Sequence, residues 1–336
     1  MTMGGPGERA NGAKRDLGPR AVVALGGNAL LRRGEPLEAA NQAHAARDAA
    51  RTLAEAAQTH RLVITHGNGP QVGLLALIGD AYTATKPYPL DVLDAETEGQ
   101  IGYVLELQLD NHLEHQHAVT LITRIVVDAK DPGFSSPSKF IGPVYSERRA
   151  RELSTQHGWT VMRDGDRWRR VVASPEPKRI VQLDAIEQLV GAGFVVVCAG
   201  GGGVPVIEDA KGRYRGVEAV IDKDRASALL AIDLEVDVLV LATDVDGVYE
   251  DYGTPQQRPI AAAAPQTLRQ LELPGGSMGP KVEAACRFVE ATGGRAAIGS
   301  LYEIPRLLEG RAGTQVLNEG PELQQAKGGR RNASLV

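Results

Sequence analysis

Three apolar stretches of this chain each lead directly into a glycine-rich turn. They are residues 21–25 before Gly26-Gly27-Asn28, residues 62–65 before His66-Gly67-Asn68-Gly69, and residues 194–198 before the four glycines at 200–203. Short continuous apolar runs are typical of strands that are buried on both faces of a parallel sheet. Glycine turns let backbone N–H groups approach an anion. The pattern therefore predicts a parallel sheet with ligands at the carboxyl ends of its strands.

The rest of the chain alternates between strand-like and helix-like patterns. The predicted strands are residues 21–25, 62–65, 121–127, 194–198, 238–242 and 296–298. The predicted helices are residues 37–59, 71–82, 97–115, 146–156, 180–192, 223–231 and 281–292, with another helix opening at residues 29–31. A composition that is 43% hydrophobic but only 4% aromatic also suits alternating strands and helices. We expect a doubly wound α/β fold.

Charge and composition narrow the classes of function. The formal net charge of −5 argues against non-specific nucleic-acid binding. No apolar run approaches a membrane span, and the N-terminal segment lacks the apolar core of a signal peptide. Cys198 and Cys286 stand in apolar surroundings and are expected to be buried free thiols. We expect a soluble, cytoplasmic protein.

Three segments depart from the α/β pattern. Residues 1–18 and 315–336 are rich in glycine and charged residues and are expected to be disordered. Residues from about 128 to 175 are rich in proline, partly basic and poor in apolar periodicity. Two interpretations of this internal segment stay open, a functional excursion such as a small lid and a plain surface insertion.

The first two glycine turns are candidates for a small anion site. Backbone N–H groups, together with the side chain of Asn28, would be the donors, and the candidate residues are Gly26, Gly27 and Asn28, then Gly67, Asn68 and Gly69. The alternative is a pair of tight turns without a ligand, with His66 orienting its loop. A P-loop carries a lysine right after its glycines, and neither turn has one. Any positive charge must therefore come from elsewhere in the chain.

Lysines occur in two other glycine- or carboxylate-rich segments. Lys223 stands between Asp222 and Asp224 before an alanine-rich helix. This lysine could act on a transferring phosphoryl group, with Mg²⁺ held by the carboxylates or by nucleotide phosphates. The alternative is an exposed charge cluster. Lys281 follows the loop 275–280 at a helix start, where the helix dipole disfavours a cation, and such violations are commoner at functional sites.

The segment Thr243–Tyr249 follows the apolar run 238–242. Its sequence TDVDGVY lies at a predicted strand end, where loop atoms would contact a bound nucleotide. The pattern Asp-x-Asp-Gly also resembles the start of a Ca²⁺-binding loop. That alternative is weak because no helix precedes the segment and the later glutamate does not fit the spacing.

Taken together, these segments follow an order with a known counterpart. The matching motifs are VALGGNALL, ITHGNGPQVG, PLDVLDAETEGQIGY, VVDAKDPGF, IGPVYSE, WRRVVASPEP, CAGGGGVPVI, GVEAVIDKDRAS, LATDVDGVY and GSMGPKVEAA. From about residue 21 to about residue 314, the chain resembles the carbamate kinase family of the amino acid kinase superfamily. Each motif alone is only suggestive, whereas the ordered set is highly specific.

The resemblance implies a fold and a reaction. The fold is the amino acid kinase fold, a three-layer α/β/α sandwich around a large, mostly parallel sheet, with a small protruding subdomain at about 128–175. The carbamoyl-binding lobe would span residues 19–210 and the nucleotide-binding lobe residues 211–314. The reaction would be ATP + carbamate = ADP + carbamoyl phosphate with Mg²⁺, run by a homodimer and usually producing ATP in arginine catabolism.

The resemblance also implies roles for individual residues. The catalytic set would be Lys139, Lys223, Lys281 and Asp224. Gly26, Gly27 and Asn28 would lie at the transferring phosphate, and Gly67, Asn68 and Gly69 near the carbamoyl end. The nucleotide would contact Lys223, Thr243, Asp244, Asp246, Gly247, Val248, Tyr249, Ser277, Met278 and Lys281. Mg²⁺ would be held mainly by nucleotide phosphates, with Asp222 or Asp224 as candidate ligands.

One departure from the family pattern affects a catalytic candidate. Phe140 follows Lys139, where the family commonly has proline, so the approach of Lys139 to the site is open. Lys130 lies nearby in sequence and could partly substitute. Two rival functions also stay open, a kinase of another small acid in the same superfamily and a non-catalytic nucleotide-binding sensor.

Overall fold

The computed structural model describes residues 18–27, 30–31, 35–82, 84–271, 273, 278–321 and 323–325. The strands are β1 Arg20–Leu25, β2 Arg61–His66, β3 Ala118–Leu121, β4 Arg124–Val127, β5 Lys139–Tyr145, β6 Thr160–Asp164, β7 Arg167–Val172, β8 Pro177–Ile180, β9 Val195–Cys198, β10 Val204–Glu208, β11 Tyr214–Gly216, β12 Val238–Thr243, β13 Tyr249–Glu250, β14 Arg258–Ala263, β15 Arg295–Ser300, β16 Thr314–Val316 and β17 Leu323–Gln325. The helices are α1 Ala39–Ala57, α2 Gly69–Ala81, α3 Leu90–Asp110, α4 Glu147–His157, α5 Leu183–Gly191, α6 Lys223–Asp233, α7 Pro265–Arg269, α8 Met278–Thr292 and α9 Ile304–Leu308.

A large sheet forms the centre of the molecule. Its strand order is β13-β14-β16-β15-β12-β1-β2-β9-β3, and β17 pairs with β14. The pairs from β15 through β12, β1, β2 and β9 to β3 are all parallel, whereas β16 runs antiparallel to β15. Parallel strands at the centre of a sheet need cover on both faces. The continuous apolar runs in the sequence reflect this requirement.

Helices cover both faces of the large sheet. Along β1, Val22 and Ala24 pack with residues of α5, α6 and α8, whereas Ala21, Val23 and Leu25 pack with α1, α3 and α9. Successive side chains of a strand point to opposite faces, so one short strand contributes to two cores. The three-layer α/β/α fold that the sequence implied is confirmed.

Several predicted boundaries are wrong. The predicted strand 121–127 is two strands, because the chain leaves β3 at Leu121 and enters β4, which belongs to a separate sheet of order β11-β10-β4-β8. Between them, the Thr123 N–H donates to Glu98 Oε2 (3.0 Å) and so interrupts the ladder. The predicted helix 180–192 begins after Ile180, which ends β8, and the helix expected at 97–115 spans Leu90–Asp110.

The chain also differs from expectation after the first glycine turn and near its end. Leu30 and Leu31 form a turn in which both backbone nitrogens lie 3.2 Å from Gly27 O. The prediction that residues 30 and 31 begin a helix is therefore wrong. The next helix, α1, begins at Ala39. Because proline favours an extended conformation in the residue before it, Pro36 opposes extension of this helix back through residue 35. Disorder was predicted from residue 315 onward, yet β16 and β17 pair with the large sheet there, and Val316 is fully buried.

Residues of the predicted excursion form a small folded unit. Strands β5, β7 and β6 make a three-stranded antiparallel sheet, and α4 connects β5 to β6. This small sheet packs on α2 through an apolar cluster that includes Val72, Ala76, Ile141 and Val172. The segment therefore has an apolar attachment to the body of the protein.

Two further expectations concern cysteines and membranes. Cys198 and Cys286 are both buried and unbonded to one another, as predicted. Among the described residues, no helix combines the length and apolar character that crossing a bilayer would need.

The contact between α2 and β5 depends on two glycines and gives the first prediction. A Cβ on Gly73 would lie 1.9 Å from Cα of Gly142, so no side chain fits there. We expect Gly73→Ala to lower the free energy of unfolding by about 1–3 kcal/mol through overpacking, measured as a lower urea midpoint.

Gly79→Ala in the same helix is the matched control. Its Cβ would lie 3.5 Å from Pro87 Cβ, an ordinary contact. Removing a helical glycine then stabilises by about 0.5–1 kcal/mol. Equal midpoints for the two variants would contradict the close backbone packing of α2 on β5.

Candidate active site

Four loops meet at the carboxyl edge of the large sheet. Strands β12, β1, β2 and β9 are consecutive parallel neighbours, so the loops that follow them reach the same edge. The Gly26 N–H donates to Ala242 O (3.0 Å), which ties the first glycine turn to β12. A Cβ on Gly67 would lie 3.8 Å from Cα of Gly27. The first two glycine turns are therefore adjacent, as the sequence predicted, whereas Asn28 lies outside the described residues.

Lys223 brings positive charge to these turns from a different part of the chain. It is the first residue of α6, and its Cδ would be 3.4 Å from a Cβ at position 67. The stem of the lysine thus packs beside the turn at Gly67. A lysine that is distant in sequence therefore lies beside turns that carry no lysine of their own.

Three lysines converge on two carboxylates beside the glycine turns. Lys223 Nζ donates to Asp224 Oδ1 (2.6 Å), and Lys281 Nζ donates to Asp224 Oδ2 (3.2 Å). Lys139, at the start of β5, donates from Nζ to Asp222 Oδ2 (2.6 Å). The structure therefore brings together Lys139, Lys223, Lys281 and Asp224, which the sequence had assigned to one site, and Asp222, which the sequence had named as a candidate Mg²⁺ ligand.

Burial makes each member of this cluster depend on the others. The side chains of Lys223, Asp224 and Lys281 are 11%, 5% and 8% exposed. Burial alone would raise the pKa of Asp224, but Lys223 and Lys281 reverse the effect and lower that pKa, so the carboxylate stays ionised. Burial lowers the pKa of Lys223, and Asp224 opposes this shift. Three cations against two carboxylates leave one net positive charge.

Asp222 has a second role at the start of α6. Its Oδ1 accepts hydrogen bonds from the N–H groups of Asp224 (3.0 Å) and Arg225 (3.3 Å), so it is the N-cap of the helix. Its Oδ2 accepts from Lys139. One carboxylate therefore joins the small sheet to the helix start that presents Lys223.

A cavity of about 750 Å³ lies beside the loop after β12. It is lined by Asp244, Val245, Asp246, Tyr249, Tyr252, Gln257, Ser300, Tyr302 and Glu303. The Tyr249 hydroxyl donates to Asp246 Oδ1 (2.6 Å), and burial first, then Asp246, raises the pKa of Tyr249 to about 12. Three of the predicted nucleotide residues, Asp244, Asp246 and Tyr249, therefore line one cavity.

The other predicted nucleotide residues are placed differently. Thr243 ends β12, and Gly247 and Val248 are buried, with the Val248 N–H donating to Thr314 Oγ1 (2.8 Å). Gly247 and Val248 pack against Thr314 of β16, and none of these three residues lines the cavity. Met278 begins α8 and packs against the core, and Ser277 lies outside the described residues.

Comparison with known proteins identifies the family. The sequence profile of the amino acid kinase family matches residues 19–300. The chain is 54% identical to a carbamate kinase of Rhizobium meliloti over 299 residues. This alignment covers 88% of the chain and 92% of the relative. This chain belongs to the carbamate kinase family. The resemblance inferred from the ordered motifs is confirmed.

Two further relatives support this membership of the carbamate kinase family. A carbamate kinase of Escherichia coli is 52% identical over 293 residues, covering 87% of this chain and 97% of that protein. The solved structure of a carbamate kinase from Giardia lamblia bound to AMP-PNP is 36% identical, with a TM-score of 0.81, and covers 89% of this chain and 98% of its own.

Beneath the glycine turns of this carbamate kinase family member lies a buried polar network that the sequence analysis missed. The Asn68 side chain donates from Nδ2 to Asp94 Oδ1 (3.0 Å) and to Thr97 Oγ1 (2.9 Å). Glu98 accepts from the N–H groups of Thr123 (3.0 Å) and Gly200 (2.8 Å). These α3 residues stand among helix-forming neighbours, so no local sequence signal separates them from an ordinary helix face.

Burial shifts the ionisation of this network. It raises the pKa of Glu98 to about 8 and raises the pKa of Asp94. Burial also lowers the pKa of His66 to about 4, so its imidazole is neutral at pH 7. The Nδ1 atom of this imidazole lies 3.2 Å from Gly67 O. His66 thus contacts the backbone of its own loop, which agrees with the loop-orienting role considered in the sequence analysis.

Asp222 gives a pH-dependent prediction. Burial would raise its pKa, but Lys139 and Lys223 reverse the effect and hold it below the usual range. Such a carboxylate stabilises the fold above its unfolded pKa of about 4, and this contribution is lost as the pH falls. Asp222→Asn keeps an N-cap side chain but loses the charge. We expect it to cost about 1.5–3 kcal/mol at pH 7.

The deficit of Asp222→Asn should shrink as the pH falls from about 4 towards 3. Urea midpoints of wild type and variant at pH 7, 4 and 3 measure it. A deficit that stays constant over this range would show that the charge of Asp222 contributes nothing to stability.

Proposed function

We propose that this protein catalyses the reversible transfer ATP + carbamate = ADP + carbamoyl phosphate. The observation that carries the proposal is the convergence of Lys139, Lys223 and Lys281 on Asp222 and Asp224, with Lys223 packed against the glycine turn at Gly67. The protein is a phosphotransferase, like the carbamate kinases to which it is 54% and 52% identical.

The chemistry needs positioning and charge neutralisation more than acid–base groups. Carbamate is already an anion, so one of its oxygens attacks the γ-phosphorus without a general base. The bond to the β–γ bridging oxygen breaks, and ADP leaves with that electron pair. Negative charge spreads over the transferring group during this step. Lysine ammonium groups and glycine N–H groups in a cleft with little water stabilise that charge.

We assign the two ends of the cleft to the two substrates. The turns at Gly26-Gly27 and Gly67-Asn68-Gly69 would hold the transferring phosphate and the carbamoyl end, within residues 19–210. The cavity beside Asp244, Asp246 and Tyr249 would take the nucleotide base and sugar, within residues 211–314. Support comes from the cavity beside this loop and from the AMP-PNP bound by the Giardia lamblia relative.

The small sheet of β5, β7 and β6 would complete the phosphate-binding site and exclude water from it. Lys139 extends from its first residue towards the N-terminus of α6, where it pairs with Asp222. Carbamoyl phosphate decomposes readily, so a cover formed by residues of about 128–175 would protect it. Phosphate oxygens would compete with Asp222 for the ammonium group of Lys139.

Asp222 and Asp224 do not fit a protein-held Mg²⁺ site. All four of their carboxylate oxygens already accept hydrogen bonds from lysines or backbone N–H groups. Within the described ranges, no three His, Cys, Asp or Glu side chains cluster to bind a metal ion. We therefore propose that Mg²⁺ enters as part of MgATP, on the nucleotide phosphates.

The proposed setting follows the family resemblance. We propose a cytoplasmic homodimer that makes ATP from carbamoyl phosphate and ADP in arginine catabolism. Support comes from the coverage of more than nine-tenths of both carbamate kinases to which the chain was compared by sequence.

ATP formation from ADP and carbamoyl phosphate, in a coupled assay with Mg²⁺, tests the reaction. We expect Lys223→Met to lower its rate by about 10²–10³, because a buried charge at the transferring group is lost. Asp224 keeps Lys281 as its partner in this variant. The control is Lys211→Met at an exposed position, which should match wild type. Wild-type turnover in Lys223→Met would remove this lysine from the mechanism.

Lys139 and Lys130 provide a second comparison in the same assay. Lys139 reaches Asp222, whereas the exposed Lys130 donates only a backbone hydrogen bond, to Asp128, among the described residues. We expect Lys139→Met to lower kcat on the order of 10²-fold and Lys130→Met to stay near wild type. Equal losses in both variants would mean that Lys130 shares the role assigned to Lys139.

A further inference from the structure

The side chain of Asn68 is held in one orientation by α3. Asn68 is 2% exposed, and its Nδ2 donates to Asp94 Oδ1 and Thr97 Oγ1 at 3.0 and 2.9 Å. The backbone of Gly201 covers the amide on another side, since a Cβ there would lie 2.2 Å from Nδ2 and 2.6 Å from Oδ1. The amide therefore has little room to swing or turn.

The two partners on α3 also decide which end of the amide faces them. The Thr97 hydroxyl has a single hydrogen to donate, and its Oγ1 lies 2.9 Å from Leu93 O and 3.0 Å from Asp94 O. Once that hydrogen is donated to a carbonyl, Thr97 Oγ1 can only accept. Asp94 Oδ1 accepts from Asn68 Nδ2 as well, and a proton bound on Asp94 Oδ2, which has no partner among the described residues, leaves Oδ1 an acceptor. An inverted amide would set its oxygen against two acceptors inside the protein, which is costly.

The amide oxygen of Asn68 remains available as an acceptor. Within the described part of the chain, Asn68 Oδ1 accepts no hydrogen bond, and it is not among the unpartnered polar atoms that are sealed from solvent. Asn68 directly follows Gly67, which packs against the stem of Lys223. A free acceptor of fixed orientation is therefore carried by the residue that follows Gly67, the turn glycine against which Lys223 packs.

We propose that Asn68 Oδ1 accepts a hydrogen bond from the amino group of the carbamoyl substrate, and that Asp94 and Thr97 are positioning residues that fix the amide for this contact. The inference rests on the proposed function, since it concerns the acceptor of the same reaction. It assigns selection for –NH₂ over –CH₃ to one residue and its two partners.

The physical basis of this selection is the different hydrogen bonding of two groups of similar size. An amino group donates to Oδ1, whereas a methyl group leaves that oxygen without a partner in a closed site. Sites built to bind a substrate N–H or O–H reject analogues that lack it far more strongly than apolar pockets reject a missing methylene. Acetyl phosphate differs from carbamoyl phosphate only in this group, so it is the probe.

The experiment compares kcat/KM for ATP formation from ADP with carbamoyl phosphate and with acetyl phosphate. We expect wild type to prefer carbamoyl phosphate by about 100-fold or more. Thr97→Val removes one acceptor with little change in shape and should reduce the preference by about tenfold, through carbamoyl phosphate alone. Thr97→Ser keeps the hydroxyl and should keep the preference. If acetyl phosphate turnover is too slow to measure, its inhibition constant against carbamoyl phosphate replaces kcat/KM.

Asp94 provides a second matched pair. Asp94→Asn keeps an oxygen that can accept from Asn68 and should retain the wild-type preference. Asp94→Leu removes the acceptor and should reduce the preference as Thr97→Val does. A partly unfolded variant loses activity on both substrates by the same factor, so the ratio reports orientation and not folding.

Two results separate the possible failures. If wild type forms no ATP from carbamoyl phosphate, the proposed function is wrong. The other result is an active wild type whose Thr97→Val and Asp94→Leu variants leave the ratio of kcat/KM for carbamoyl phosphate to kcat/KM for acetyl phosphate unchanged. In that case Asn68 does not select the amino group.

Discussion

The buried ion triad of Lys223, Asp224 and Lys281 constrains the rest of the site. Removing water from three charges is expensive, and loss of one member of such a group typically costs about 3–5 kcal/mol. The triad is tolerable only because Asp224 bonds one lysine with each oxygen, at 2.6 and 3.2 Å. The starts of α6 and α8 must therefore lie side by side. Asp222, two residues before Asp224, extends the constraint to the small sheet through Lys139.

This arrangement solves a problem common to phosphate sites. Several lysines placed together repel one another when no phosphate is bound, and isolated buried lysines lose their protons. Two carboxylates offset most of that repulsion, yet one net positive charge remains for an anion. The glycine turns after β1 and β2 then add only N–H groups and space. Positive charge and backbone donors come from different elements, which explains the absence of a lysine beside the glycines.

Much of the site could be predicted from sequence because parallel strands end at a common edge. Each glycine turn and the segment Thr243–Tyr249 follows an apolar run, so local patterns were sufficient to place them together. The pairing of Lys139 with Asp222 was not predictable, since 83 residues separate them and only the packing of the small sheet joins them. The same holds for Ser300 and Tyr302, which line the cavity beside Asp244 and Asp246 because β15 is the neighbour of β12.

Errors of prediction arose where long-range hydrogen bonds override local pattern. Residues 121–127 form an apolar run, but Glu98 captures the N–H of Thr123 and splits the strand. Leu30 and Leu31 are good helix formers, yet their N–H groups fold back on Gly27 O. Thr97 and Glu98 were assigned only to a helix, and Asp94 lay before the predicted start of that helix, because their partners lie in turns that come together only in the folded protein.

The backbone contact between Gly73 and Gly142 has a mechanical consequence. Where side chains separate two elements, rotamer changes absorb small displacements, but at this point α2 and β5 touch without any side chain between them. Lys139 lies three residues before Gly142 on the same strand, and α2 begins at Gly69, in the turn that would hold the carbamoyl group. The contact is thus a rigid connection through which a movement of that turn displaces the strand carrying Lys139.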